Sequence, residues 1–430
     1  MPAPQPHPQG APVPARNPVV IFTPLPPAKS GIADYSLELL PHLVAACPQR
    51  DLVVVAPQAK AHANRPWRTI TPDDYQRSPE LHSAPTVYQF GNNRDHVFAY
   101  NAFLKRPGVV VIHDFNLHYL VEDATLVLGD IAAYRRTLVD EYGEPGGTLA
   151  DLRQLGYFSE SQKLTLSLTG HVLRRATGII VHSQWVYDRL PPEARARAVV
   201  VPHHFAPQAL GYQALSRDEA RSRLGLEQDT FTVLALGYIT PPKQVQATLA
   251  ALGMLKKRGL KFKFLIGGER NPSFDIDAHI RQHDLVAETT ITGFLKEDDF
   301  FHCIRASDLL VNLRYPTVGE SSGTLARALA LGLPAVVHNF GPAAEYPEGV
   351  VRKVPLEPGT PYVLAETIEA LIQQPQARQN LSQRACAHMQ QHCSVATSAQ
   401  QYAQMFDRLF PLAAPVPAPA AALAPAAPGA

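Results

Sequence analysis

The residues best equipped for chemistry fall in one stretch, residues 314–334, RYPTVGESSGTLARALALGLP. Glu320 is its only acid. Ser321, Ser322 and Gly323 follow and open a run of helix formers, Thr324 to Leu331, which Gly332 and Pro334 stop. Ser is a good N-cap, and Gly permits close backbone approach. A helix start carries about half a positive charge and several unpaired N–H groups, so the amides of Gly323, Thr324 and Leu325 suit an anion such as phosphate. Taken alone, the same residues fit an ordinary capped helix with a solvated Glu320 equally well. Three further loops carry candidates. Gly237-Tyr238-Ile-Thr-Pro-Pro-Lys243 leaves an apolar run, turns at its prolines and sets Lys243 at the next helix start, a paired positive source for a diphosphate. His113-Asp114 ends another apolar run, with His118 four residues on; alone, His113 reads more simply as a hydrogen-bonded turn residue. Lys29-Ser30-Gly31 closes a Pro/Gly loop after the first apolar run.

The elements that must position these loops read as strand–helix alternation. Strands are expected at 18–22, 51–56, 86–90, 109–113, 178–182 and 199–202, with 116–176 mostly helical around a break at 143–147. The pattern then restarts. Strands at 231–236, 261–266, 289–292, 309–313 and 334–338 alternate with helices at 245–257, 275–282, 297–306 and after Gly323. Late helices at 363–373 and 376–410 cover the second sheet's edge or cross back. This is α/β architecture with two doubly wound parallel sheets, whose ligand sites lie at the carboxyl ends of the strands. The four loops therefore point into one cleft. A G-x-G-x-x-G fingerprint follows none of the strands. The division expected is a tail at 1–17, a first domain at 18–204, a linker at 205–216, a second domain at 217–410 and a tail at 411–430.

Composition narrows the classes. At 430 residues and 46% hydrophobic content the chain can fill two cores, since single cores seldom exceed about 250–300 residues. A net charge of +1 gives no nucleic-acid footprint. Neither a leader pattern nor an apolar run of about 18 residues is visible, so a soluble cytoplasmic protein is expected, with room for peripheral contact at the inner membrane face. Four cysteines make no disulfide scaffold. Cys386, His388, His392 and Cys393 could suggest a metal, but two helical turns put the cysteines roughly 10 Å apart, and one helix cannot turn all four side chains to one ion; a late amphipathic helix is the simpler reading. Many of the 40 prolines sit in the Pro/Ala-rich ends, which read as disordered tails.

From about Val19 to Phe410 the chain resembles the GT-B glycosyltransferases of family four, the retaining nucleotide-sugar transferases. The C-terminal half carries the specific motifs: Gly237 with Lys243 six residues on, and Glu320-x-x-Gly323 before a helix ending Ala330-Leu-Gly332-Leu-Pro334. Thr292-Gly293 and Ala306-Ser-Asp308 also fall as in that family, as do Ser30-Gly31 and His113 in the N-terminal half. Two positions depart from it. Tyr238 stands where the family has Arg, and Arg327 stands where it has a second, ribose-contacting acid; a subset of the family is similar in its Glu-x-Ser-Gly…Arg form.

The resemblance implies two Rossmann-like domains facing across a cleft, and transfer of a hexose from a nucleotide diphosphate sugar to a hydroxyl of a glycan or lipid-linked acceptor with retained configuration. It implies neither a metal nor a cofactor, nor a nucleic-acid partner. Lys243 and the amides of Gly323, Thr324 and Leu325 would stabilise the leaving diphosphate. Glu320 would bond donor-sugar hydroxyls, and His113 would stand at the reacting centre. Gly31, Gly237, Tyr238 and Ser322 would line the donor side; Ser30, Asp114 and His118 the acceptor side. Arg327 leaves two readings: a solvated side chain or an ion pair with a neighbouring acid, or, the sharper one, a guanidinium that turns into the cleft and grips the diphosphate, replacing the charge missing at Tyr238. Rival readings are a GT-B epimerase or phosphorylase, and a non-catalytic sugar-nucleotide-binding subunit.

Overall fold

A computed structural model describes residues 17–205 and 211–412. Runs of Val, Ile and Leu build both sheets. The first contains β1 (Val19–Phe22), β2 (Leu52–Val55), β3 (Arg68–Ile70), β4 (Thr86–Phe90), β5 (Val109–Ile112), β6 (Gly178–Val181) and β7 (Ala198–Val200), all parallel in the order β3-β2-β1-β4-β5-β6-β7. The second contains β8 (Thr232–Leu236), β9 (Lys263–Gly267), β10 (Thr289–Ile291), β11 (Leu309–Val311), β12 (Ala335–His338) and β13 (Arg352–Val354), parallel in the order β10-β9-β8-β11-β12-β13. Helices cover both faces, which is why the central strands are unbroken apolar runs rather than alternating ones. In each sheet the strand order reverses once, between β1 and β4 and between β8 and β11, and the crevice at such a point is where open α/β sheets bind ligands.

Most sequence expectations match these elements. β3 and β13 were not foreseen. Each is a three-residue edge strand containing exposed charge, Arg68 and Arg352, and gives no apolar run to read. The last helix, Val395–Leu409, crosses back. Its buried face (Tyr402, Met405, Phe406) packs with Val19, Leu39 and Leu43 in the first domain's core. Tyr402 Oη lies 3.1 Å from Tyr35 Oη, and Arg50 reaches Asp407 at 3.0 Å. This helix thus serves the domain opposite the one its sequence position assigns it. In the second domain, Asp308 anchors the core: it binds Arg221, whose side chain is fully buried, at 2.8 Å, Arg217 at 2.9 Å and the Thr232 amide at 2.8 Å.

The proposed tails at 1–17 and 411–430 lie almost wholly outside the described residues, as do residues 206–210 of the linker. Among the described residues no helix is long and apolar enough to cross a membrane.

Candidate active site

Strand β11 delivers Asn312 and Arg314 to the cleft, and the loop after it turns into the helix Gly323–Ala330. Ser322 caps that helix, its Oγ accepting from Leu325 N at 3.2 Å. At the other end Gly332, with φ +76°, closes a Schellman motif: Leu333 N donates to Ala328 O at 2.9 Å and Gly332 N to Leu329 O at 3.0 Å. The helix is anchored by buried Leu325, Ala326, Ala328 and Leu329, so its first turn is held firmly at the cleft. Among the described residues no acceptor takes the amides of Gly323 or Thr324, and the buried Asn312 Nδ2 beside them is likewise unpartnered. Free amides and a free side-chain donor at a helix start make an anion site. Glu320 accepts from Thr317 Oγ1 (2.7 Å) and Val318 N (2.9 Å) through Oε2, while Oε1 lies 3.7 Å from Arg314 Nε.

The loop after β8 adds the second cation. Lys243 ends a short 3₁₀ turn, Pro241–Lys243, and its Nζ folds back under Gly237 to donate to Leu236 O at 3.1 Å. Gly237 has φ +97°, and a Cβ there would collide with Lys243 Nζ, so only glycine lets the ammonium sit here. Tyr315 N donates to Pro242 O at 2.8 Å, joining this loop to the one carrying Arg314. Burial, and then the nearby Arg314, hold the Lys243 pKa well below the usual lysine range, with Glu320 opposing. A desolvated ammonium beside a guanidinium is an arrangement that an anion would relieve. Tyr238 is half exposed at the mouth of this loop.

On the first domain, Ser30 caps the first helix, Gly31–Ala46, by accepting from Ile32 N (3.3 Å), and the space beside Gly31 is open. Lys29 Nζ stands 4.4 Å from the Phe294 ring of the second domain. Asp114 accepts from Asn92 N at 2.7 Å; burial first, and the Glu320 charge across the domain gap, push its carboxyl up to about 7.

Two histidines differ from expectation. His118 is buried in the helical segment, with Nδ1 donating to Leu166 O and Nε2 paired to Tyr134 Oη, both at 2.8 Å; it pins structure and does not line the cleft. His113 is also buried. Its Nε2 meets the Gln89 amide at 2.6 Å, its Nδ1 meets His182 Nε2 at 3.1 Å, and Tyr35 packs edge-on against it. The first domain's imidazoles that face the cleft are His182 and His203, which the sequence reading placed only at a strand end and at the end of that domain.

Arg327 also departs from the sharper of its two readings. Its Nη2 lies 2.6 Å from Glu38 Oε1 in the first helix, a largely buried pair between the two domains. Its other arm stays near Gly323. The positive charge beside Lys243 belongs to Arg314 instead, with Glu320 3.7 Å away. Two further contacts join the domains: Asn116 N donates to Val318 O at 2.9 Å, and Glu345 accepts the amides of Gln184, at 3.0 Å, and Trp185.

An interdomain cavity of about 200 Å³ is lined by His182, His203, Asn312, Arg314, Glu320 and Ser322, among others; of the four loops expected to share one cleft only the Arg314–Ser322 loop lines it, while Lys243 and Gly237 line a separate small pocket behind Asn312. His388, His392 and Cys393 close its far wall, the two rings 4.9 Å apart. Among the described residues no group of three or more His, Cys, Asp or Glu side chains is arranged to hold a metal ion. Asn312, Arg314, His182 and Glu38 were missed in the sequence. The one available signal was a polar residue ending an otherwise apolar strand, as in Asn312 and His182.

Two parallel-sheet Rossmann-like domains facing across a cleft define the GT-B fold. Comparison with known proteins agrees. Residues 216–388 match the family model described as "Glycosyl transferases group 1". The chain is similar to the 2-deoxystreptamine glucosyltransferase of Streptomyces kanamyceticus, 26% identical over 208 residues, covering 47% of this chain and 53% of that protein. The chain thus spans about half the length of that relative. Among solved structures, sucrose-phosphate synthase from Thermosynechococcus elongatus superposes with a TM-score of 0.64 at 15% identity, covering 92% of this chain and 99% of that one. HepE of Anabaena, in complex with UDP and glucose, superposes with a TM-score of 0.61 at 16% identity, covering 91% and 99%.

Proposed function

We propose that this chain is a glycosyltransferase that moves a hexose from a nucleotide diphosphate sugar to an acceptor hydroxyl of a glycan or lipid-linked molecule, with retention of configuration and without metal or cofactor. The observation that carries the reading is the pair of cations at the β8/β11 switch point, Lys243 and Arg314 with the acid Glu320 nearby, together with a helix start whose Gly323 and Thr324 amides lack acceptors among the described residues. The match of residues 216–388 to a glycosyltransferase family model supports it. A leaving diphosphate gains negative charge as the glycosidic bond breaks, and preorganised donors in a desolvated cleft stabilise that charge most. Glu320, which lines the cavity, would hold a sugar hydroxyl. Asp114, facing Glu320 across the gap, would lie on the acceptor side. Uridine diphosphate glucose is the first donor to try, because HepE was solved with UDP and glucose.

Thermal-shift measurement against UDP, GDP, ADP and TDP and their glucose conjugates tests the reading. A bound ligand at a hundred times its dissociation constant adds about 2.7 kcal/mol of stability. A shift with one nucleotide family, followed by turnover of that labelled donor, is expected. Indifference to all of them would sink the assignment. NMR of the first-formed product would then report the anomeric configuration.

A further inference from the structure

His203 comes from the segment after β7, at the end of the first domain, not from either strand-end motif. Its Nδ1 donates to the His204 carbonyl at 2.8 Å, which leaves the lone pair on Nε2. That nitrogen lies against the start of the second domain's catalytic helix: a Cβ on Gly323 would stand 3.3 Å from it. The ring lines the interdomain cavity together with Asn312 and Ser322. It is fixed in place by Tyr35, edge-on with ring centroids 5.1 Å apart, and Tyr35 is in turn packed against His113, His182 and His204. Beside it stand donors: the amides of Gly323 and Thr324 and the Asn312 Nδ2. The start of the helix therefore sets unpartnered donors next to one rigid neutral acceptor.

That pairing fits a phosphate-linked sugar, with phosphate oxygens toward the helix and a hydroxyl toward His203. We propose that His203 Nε2 accepts a hydrogen bond from a hydroxyl of the donor sugar and so is the donor-sugar contact that the first domain contributes. The proposal rests on the glycosyltransferase reading above and adds to it a residue and a subsite. The ring is well suited to this work: burial, then His182 and Arg327, hold its pKa down to about 3, so it stays an acceptor at neutral pH.

The test compares two ligands on one protein, by calorimetry with the full chain. The nucleotide diphosphate that wild type binds, and its glucose conjugate, form the pair; UDP and UDP-glucose come first. His203→Ala should leave UDP affinity unchanged and lower UDP-glucose affinity about tenfold, the usual size of one lost neutral hydrogen bond. His203→Gln, which restores an acceptor, should recover part of it. Asn312→Ala serves as the contrast and should weaken both ligands alike. Equal loss of both ligands in His203→Ala, or unchanged affinity for both, overturns the proposal while leaving the glycosyltransferase reading intact. Failure of wild type to bind any nucleotide or its conjugate would remove that reading first, and this one with it.

Discussion

Arg327 and Glu38, 289 residues apart in sequence, form an ion pair of 2.6 Å across the domain interface. Both side chains are nearly buried, 13% and 11% exposed, and Glu38 Oε2 has no hydrogen-bond partner among the described residues. Burial raises the Glu38 pKa, and Arg327 opposes it. Arg327 thus ties the two domains together while its other arm stands near Gly323.

Removing one member of a buried pair leaves the other charge stranded, at a cost on the order of 3–5 kcal/mol. Arg327→Ala is expected to favour the open arrangement and weaken UDP-glucose binding tenfold or more. Adding Glu38→Gln should restore part of that binding, because no lone charge then remains. If Arg327 acted mainly by gripping phosphate, the double variant would bind no better than the single one, and calorimetry would show it.

Asp308 makes a different prediction, on stability alone. It neutralises Arg221, whose guanidinium is buried and also serves the carbonyls of Gln228 and Thr230. Asp308→Ala should destabilise the second domain by about 3–5 kcal/mol, read as a lower urea midpoint. Arg217→Ala, which removes the half-exposed partner, should cost under about 1 kcal/mol. Equal losses in the two variants would show that burial does not set the balance.

The sequence revealed the fold because nearly every central strand is buried on both faces and so reads as one apolar run. It hid β3 and β13, because RTI and RKV are short exposed edges. Local structure at the candidate site was legible where adjacent residues set it, as in the Ser322 cap and the Gly237–Lys243 turn. It was not legible where packing chooses among like residues. Nothing in the chain says that Gln89 and Tyr35 turn His113 inward while His203 faces the cavity, or that Glu38 claims Arg327 and leaves Arg314 beside Lys243.

Asp114 should make stability pH-dependent. Its pKa rises from 3.8 to about 7 in the folded protein, so its stabilising contribution is full below pH 3.8 and is lost as pH rises through about 7. The difference corresponds to roughly 4 kcal/mol. Asp114→Asn keeps the bond from Asn92 N and removes the titration. The stability difference between wild type and Asp114→Asn should therefore move in the variant's favour between about pH 4 and 7. Taking the difference cancels the buried histidines, which titrate in both. A flat difference would show that Asp114 is hydrated and unperturbed.

Metal removal should leave activity unchanged. The positive charge proposed for the leaving diphosphate comes from Lys243, Arg314 and backbone amides, which a chelator cannot take. Enzyme dialysed against EDTA is expected to retain its turnover of the donor. Loss restored only by magnesium or manganese would require a different source of charge in the cleft.

The sharpest test falls on Lys243, because its structural and chemical roles predict opposite outcomes. The ammonium is buried, has one carbonyl partner, Leu236 O, and is pushed toward its neutral form by burial and by Arg314. As a structural feature it is a liability in the empty protein. Lys243→Met keeps the length of the side chain beneath Gly237 and deletes the charge, so thermal stability should be unchanged or higher. Turnover should nevertheless fall on the order of a hundredfold or more, the cost of losing one preorganised donor to a developing oxyanion. Arg314→Met should lower turnover in the same direction, and the double variant should lose less than the product of the two, since both act on one diphosphate. A Lys243→Met protein that is folded, no less stable and fully active would take the lysine out of the site and with it the main support for phosphate chemistry at this switch point.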